Sequence, residues 1–178
     1  MSFFLKLFGE EKKQINITIC GLDNAGKTTI VKYLIKGNFV ETHPTMGVNH
    51  EIIELPKVTL NIFDLGGQKD FRILWKEINE KSDALIFVID SSDHIRLEEA
   101  RDIFYKIINE QIKKQITILI LLNKIDKSGT ITQEEFIEKF DLPNLRSSII
   151  WAVFQVSAKT GTGIIESFNW LVNKIQEA

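Results

Sequence analysis

The chain has 178 residues, a length that fits one domain able to bury roughly 70% of the surface it would expose unfolded. Its 44% hydrophobic and 26% charged residues, with only three prolines, set it among ordinary globular proteins, and a formal net charge of −2 provides no basic footprint for nucleic acid. The single cysteine, Cys20, excludes an intramolecular disulfide and points to a reducing compartment, while no apolar run approaches the roughly 18 to 20 residues that cross a bilayer.

In chain order, the first predicted element is a short amphipathic helix. Phe3, Phe4, Leu5, Leu7 and Phe8 crowd the start of the chain, but Lys6 interrupts them and no basic segment precedes them, so this is not a signal peptide. At about 100° per residue, Phe3, Phe4, Leu7 and Phe8 share an arc of about 140°, with Ser2, Lys6 and Glu10 outside it. Ser2 stands where N-myristoylation needs glycine, so any membrane contact here falls to side chains. Lys12 and Lys13 read as part of a solvated linker.

Ile15 to Cys20 reads as a buried strand, which makes Cys20 a small core residue. Gly21 to Thr28 then matches G-x-x-x-x-G-K-[ST] and leads into a helix from Lys27 to Lys36. Between a strand and a helix, such a loop cradles phosphates with inward-pointing N–H groups. Asp23, Asn24, Ala25, Gly26 and Thr29 are therefore assigned to nucleotide binding. Lys27 adds a cation over the terminal phosphates and the Thr28 hydroxyl is placed for Mg2+. A nucleoside triphosphate is the first-choice ligand.

His43-Pro44-Thr45 follows. The Thr45 hydroxyl suits a second Mg2+ contact made only when a third phosphate is present, and His43 reads as a loop residue. Val48 to Phe63 reads as an antiparallel hairpin at a sheet edge, turning at Leu55-Pro56-Lys57, where proline is tolerated. Asp64 closes the hairpin as a strand-end acid that holds Mg2+ through water. Gly66 and Gly67 leave room for backbone to approach a terminal phosphate, and Gln68 stands where attacking water is oriented. Arg72 reads as a surface or helix-dipole residue, and Trp75 is balanced between packing and recognition.

Helices are predicted over Arg72 to Glu80, Leu97 to Gln111, Gln133 to Phe140 and Ile164 to Gln176, interleaved with apolar runs at 84 to 89, 116 to 122 and 151 to 156. That alternation implies a parallel sheet covered by helices on both faces. Ligands bind such sheets at the carboxyl ends of the strands, where Asn123-Lys124-Ile125-Asp126 and Ser157-Ala158-Lys159 join the earlier segments. A carboxylate at Asp126 accepts from both N1–H and the exocyclic amine of guanine. Adenine has no such donor pair and leaves the acid unpaired, so GTP and GDP are favoured over ATP.

Taken together, GLDNAGKTT, PTMG, DLGGQ, LWKEI, NKID and VSAKTGTG resemble, in order and spacing, the Arf and Arf-like small GTPases of the Ras superfamily. His43-Pro44-Thr45, Phe63 to Gly67 and the absence of Gly at position 2 are similar to the Sar branch, which carries histidine where this chain has Gln68. The resemblance implies an α/β P-loop NTPase fold, with a mostly parallel six-stranded sheet, one antiparallel edge strand and helices on both faces. The N-terminal amphipathic helix and linker would occupy residues 1 to 13 and the G domain residues 14 to 178.

It further implies that Lys27, Thr45, Gly67 and Gln68 serve GTP hydrolysis, and that Thr28, Thr45 and Asp64, the last through water, hold Mg2+. Asn123, Lys124, Asp126, Ser157, Ala158 and Lys159 would hold guanine, with the Ala158 N–H on its carbonyl, and Asp23 also fits this family. An exchange factor, a GAP and effectors are expected. Effectors would meet Thr45 to Gly47, Val48 to Phe63 and Gln68 to Ile78, although Val48 and Ile78 replace the family's usual aromatics. GTP would shift the hairpin by two residues and release the N-terminal helix, a slip that keeps the same side chains facing inward. Phe3, Phe4, Leu7 and Phe8 would then enter a membrane reversibly, giving a monomeric, cytoplasmic protein with peripheral membrane contact in the GTP state. Two rival readings are a cytosolic nucleotide-dependent interaction module that barely hydrolyses, and a P-loop kinase, for which no arginine-rich lid is visible.

Overall fold

The computed structural model describes residues 12–55, 58–112 and 114–177. Its strands are β1 (Lys13–Cys20), β2 (Val48–Glu54), β3 (Val58–Leu65), β4 (Ala84–Asp90), β5 (Ile116–Asn123) and β6 (Ile149–Gln155). Its helices are α1 (Lys27–Lys36), α2 (Trp75–Lys81), α3 (Leu97–Lys106), α4 (Gln133–Lys139) and α5 (Ile164–Glu177). The six strands lie in the order β2-β3-β1-β4-β5-β6, and β2 alone runs antiparallel to its neighbour. Every residue of β4 and β5 is buried, as expected of strands covered on both faces. On one face Phe87, Ile118 and Ile120 pack beneath Trp75, Phe104 and Phe136 of α2, α3 and α4. On the other, Ile17, Ile86 and Leu119 pack beneath Ile30 of α1 and Phe168 and Leu171 of α5.

The hairpin forms at the sheet edge with Val48 opposite Leu65 and Glu54 opposite Thr59. Two helices depart from their expected bounds. The segment expected to start a helix at Arg72 is a 3₁₀ turn over Lys69–Leu74 and becomes α-helical at Trp75. It is drawn tight because Arg72 and Trp75 both reach back to the Gly66-Gly67 backbone. The helix expected to run to Gln111 ends as α3 at Lys106 and widens into a π turn over Ile107–Gln111, which brings the buried Gln111 side chain to Asn79 over 2.6 Å. β6 begins at Ile149 rather than 151, drawn in by pairing with Ile116. The expected N-terminal helix lies outside the described residues. Among those described, no helix is long and apolar enough to cross a membrane.

Candidate functional site

The phosphate loop leaves β1 through two glycines that no other residue replaces comfortably. Gly21 has φ 137° and Gly26 φ 93°; a Cβ on Gly21 would stand 2.2 Å from the Val88 carbonyl oxygen, and one on Gly26 would stand 2.3 Å from Asn123 Nδ2. Lys27, 6% exposed, points back into the loop and donates to the Gly21 and Leu22 carbonyls at 3.1 and 2.7 Å. Burial pulls its pKa down, against the pull of the nearby Asp64, Cys20 and Asp23. Burial likewise pushes the Cys20 thiol well up, so Cys20 is an inert core residue.

Three oxygen-bearing side chains converge beside Lys27. Thr28 donates to Asp64 Oδ2 over 2.6 Å, its hydroxyl lies 2.8 Å from that of Thr45, and Thr45 donates to the same Asp64 oxygen over 3.4 Å. Asp64 is 1% exposed, and its other oxygen, Oδ1, is buried without a hydrogen-bond partner. Burial raises its pKa, opposed by Thr28, Lys27, Thr45 and Asn49. A buried carboxylate with one orphaned oxygen and the other held by two hydroxyls is a set of hard donors that fits Mg2+.

Gly67 packs directly on the phosphate loop, where a Cβ would meet backbone atoms of Leu22 and Asp23 at 2.3 to 2.7 Å. Gln68 follows, exposed at the cleft. Trp75, buried, donates from Nε1 to the Gly66 carbonyl over 3.1 Å, which resolves it as a packing residue. Arg72, read from sequence as a surface or helix-dipole residue, is instead held in place: its Nε donates to the Gly67 carbonyl at 3.0 Å and its Nη2 reaches Glu99 at 3.0 Å. Arg96 was likewise not anticipated. It holds Asp23 through Nη1 to Oδ1 at 3.1 Å and is itself held by Asp93.

At the far end, Asn123 donates to the Ala25 carbonyl over 2.8 Å and accepts from the Ala158 N–H over 3.0 Å. Lys124 reaches the Asn24 carbonyl and pairs with Asp90 at 2.7 Å. Asp126 accepts from the Ser157 hydroxyl over 2.6 Å, and Lys159 is exposed. One cleft of about 380 Å³ joins the phosphate loop, Thr45, Gly67, Gln68 and Lys124, with Phe39 and His43 also on its wall. Asp126, Ser157, Ala158 and Lys159 do not line it; Ala158 is tied to the phosphate loop through Asn123, and Ser157 to Asp126.

The family model described as the ADP-ribosylation factor (Arf) family matches residues 1–175. The chain belongs to the Arf family. It is an Arf-like small G protein with the P-loop GTPase fold of that family. Among curated Arf relatives, ADP-ribosylation factor-like protein alp41 of Schizosaccharomyces pombe is 38% identical over 167 residues, 94% of this chain and 89% of that protein. ADP-ribosylation factor F of Dictyostelium discoideum is 39% identical over 176 residues, 97% of this chain and 92% of that protein. Among solved structures, the Arl6 BBS3 small GTPase of Trypanosoma brucei with the bound nucleotide analogue GppNp superposes with a TM-score of 0.83. It is 34% identical, with 93% of this chain and 99% of that chain covered.

Proposed function

We propose that the cleft binds GTP and GDP with Mg2+, hydrolyses GTP slowly, and couples the nucleotide state to effectors and to a membrane. The observation that carries this reading is the single cleft in which the phosphate loop meets Thr45, Gly67 and Gln68. The N–H groups of residues 23 to 29 and the Lys27 ammonium cradle the phosphates. Lys27 is already desolvated, so its charge acts on the phosphates with little screening. Thr28 and Thr45, with Asp64 through water, would hold Mg2+, which would supply positive charge against the phosphates. Asn123, Lys124, Asp126, Ser157, Ala158 and Lys159 form the guanine end.

In hydrolysis Gln68 orients water for attack on the γ-phosphorus. The new O–P bond forms as the bond from phosphorus to the β,γ-bridging oxygen breaks. GDP leaves with that electron pair, the water oxygen becomes part of inorganic phosphate, and of its two protons one stays on the phosphate and the other passes to solvent. Gly67, packed on the phosphate loop and lining the cleft, would offer its N–H to the transferring group. No arginine lines the cleft among the described residues, and Arg72 is engaged with Gly67 and Glu99, which supports a slow intrinsic rate. A GAP is then expected to accelerate turnover by about 10^3 to 10^5.

Effectors meet Thr45 to Gly47, the hairpin from Val48 to Phe63, and Gln68 to Ile78; Met46, 73% exposed, is the most open apolar side chain among the described residues of that surface. Phe3, Phe4, Leu7 and Phe8 supply reversible membrane contact in the GTP state. Loading the full chain with GTP and Mg2+ and following phosphate release in a single turnover tests the enzyme. Wild-type release that Gln68→Leu abolishes supports it, whereas no release by wild type, alone or with candidate GAPs, leaves an interaction module. Liposome flotation with GDP and with a non-hydrolysable GTP analogue tests the membrane step. Equal recovery in both states would sink the coupling.

A further inference from the structure

The start of α3 touches both walls of the cleft although it contributes no motif residue. Arg96, just before the helix, reaches Asp23 of the phosphate loop through Nη1 to Oδ1 at 3.1 Å and Nη2 to the backbone carbonyl at 3.3 Å. Asp93 fixes that guanidinium through a 2.7 Å bond to Nε. One turn later on the same side, Glu99 takes Arg72 Nη2 at 3.0 Å, while Arg72 Nε donates to the Gly67 carbonyl. Gly67 in turn lies against the Leu22-Asp23 backbone, so the contacts close into a ring: Asp23, Arg96, α3, Glu99, Arg72, Gly67.

The helix is a firm reference for that ring. Leu97, Ala100 and Phe104 are buried in the core, and Phe104 meets Phe87 of β4 edge-on, with ring centroids 5.2 Å apart. Arg72 itself is mostly covered, its side chain 19% exposed against 35% for Glu99, so the pair is shielded more than a surface ion pair. Gln68 is the residue after Gly67 and is exposed, and its side chain makes no hydrogen bond among the described residues. Its placement over the cleft therefore depends on what fixes the Gly67 peptide.

We propose that Glu99 is a positioning residue for GTP hydrolysis: its ion pair with Arg72 holds the Gly67 carbonyl and so aims Gln68 into the cleft. This rests on the reading that the cleft hydrolyses GTP. The effect of a small displacement of a catalytic group on rate is large, which is why a pair outside the cleft registers in turnover.

The test uses the full chain as wild type, Glu99→Gln, Glu99→Asp and Arg72→Gln, with single-turnover hydrolysis, GDP release, thermal midpoint and amide hydrogen exchange over residues 64–72. Glu99→Gln is expected to slow hydrolysis about tenfold and to speed exchange at Gly67 and Gln68, with GDP release within about twofold of wild type. Glu99→Asp should recover much of the rate, and combining Glu99→Gln with Arg72→Gln should add little to either alone. Unchanged hydrolysis and exchange in Glu99→Gln would overturn the proposal. So would losses that only parallel faster GDP release and a lower thermal midpoint, since those mark a structural brace. A wild type that binds GTP but never turns it over defeats the hydrolysis reading instead, and the exchange measurement then still decides whether Glu99 holds the Gly67 segment.

Discussion

Asn123 accepts a hydrogen bond on Oδ1 from the Ala158 N–H over 3.0 Å, while its Nδ2 donates to the Ala25 carbonyl over 2.8 Å. One side chain, 1% exposed, therefore ties the end of β5 to both the phosphate loop and the loop after β6. Asn123→Ala strands a buried donor and a buried acceptor, each worth about 1 to 3 kcal/mol. The expected loss is about 2 to 5 kcal/mol, a fall of roughly 5 to 15 °C in thermal midpoint by calorimetry. A midpoint within 2 °C of wild type would contradict it.

Asp90 gives a pH signature. Burial pushes its carboxyl up, but the Lys124 ammonium and the Ser92 hydroxyl and N–H outweigh burial and bring its pKa below the ordinary 3.8. A carboxyl depressed in the folded state binds fewer protons there than in the unfolded chain. Its stabilisation is thus complete above the unfolded value and is lost as pH falls through the folded one. Urea unfolding from pH 7 to pH 2.5 should show the gap between wild type and Asp90→Asn narrowing below about pH 4. A gap that stays constant there would remove Asp90 from the acid response.

Gly67→Ala puts a methyl group 2.3 Å from the Asp23 nitrogen and 2.4 Å from the Leu22 carbonyl carbon, neither of which is a flexible side-chain end. The peptide has to lift from the phosphate loop. Single-turnover assays should show hydrolysis reduced at least about tenfold, with GDP affinity changed far less, because Gly67 touches the loop where the third phosphate is handled. Equal losses of both would place the damage in the loop itself.

Asp126→Asn tests the base. An amide there offers one acceptor and one donor in place of a carboxylate, so GDP affinity should fall about 10 to 100-fold. Affinity for xanthosine diphosphate, which carries a carbonyl where guanine has its amine, should rise. Titration with both nucleotides checks this, and undiminished GDP binding would exclude Asp126 from base recognition.

The parts of this fold that sequence made legible are those governed by local rules. The unbroken apolar runs of β4 and β5 announce strands buried on both faces, and the glycines at 21 and 26 announce a loop that approaches other backbone closely. What stayed hidden depends on partners distant in the chain. Arg96 meets Asp23 across 73 positions and Arg72 meets Glu99 across 27, and no spacing rule marks such pairs among common charged residues. Trp75 was undecidable for a similar reason: the same indole serves recognition when exposed and packing when buried, and only the fold buries it against the Gly66 carbonyl. The 3₁₀ turn goes with Arg72 and Trp75 reaching back to the Gly66-Gly67 backbone, and the π turn with Gln111 meeting Asn79 across 32 positions, neither of which local propensity marks.

Among the described strands β2 is the outermost at its end of the sheet, so one of its edges pairs with none of them. Such an edge is a template on which a second copy of the same protein can add itself. Glu51, paired with Lys32, and Glu54, paired with Lys12, set charge along that lip. Like edges meeting in a concentrated solution bring those charges together and must desolvate them, which guards the strand against runaway self-pairing.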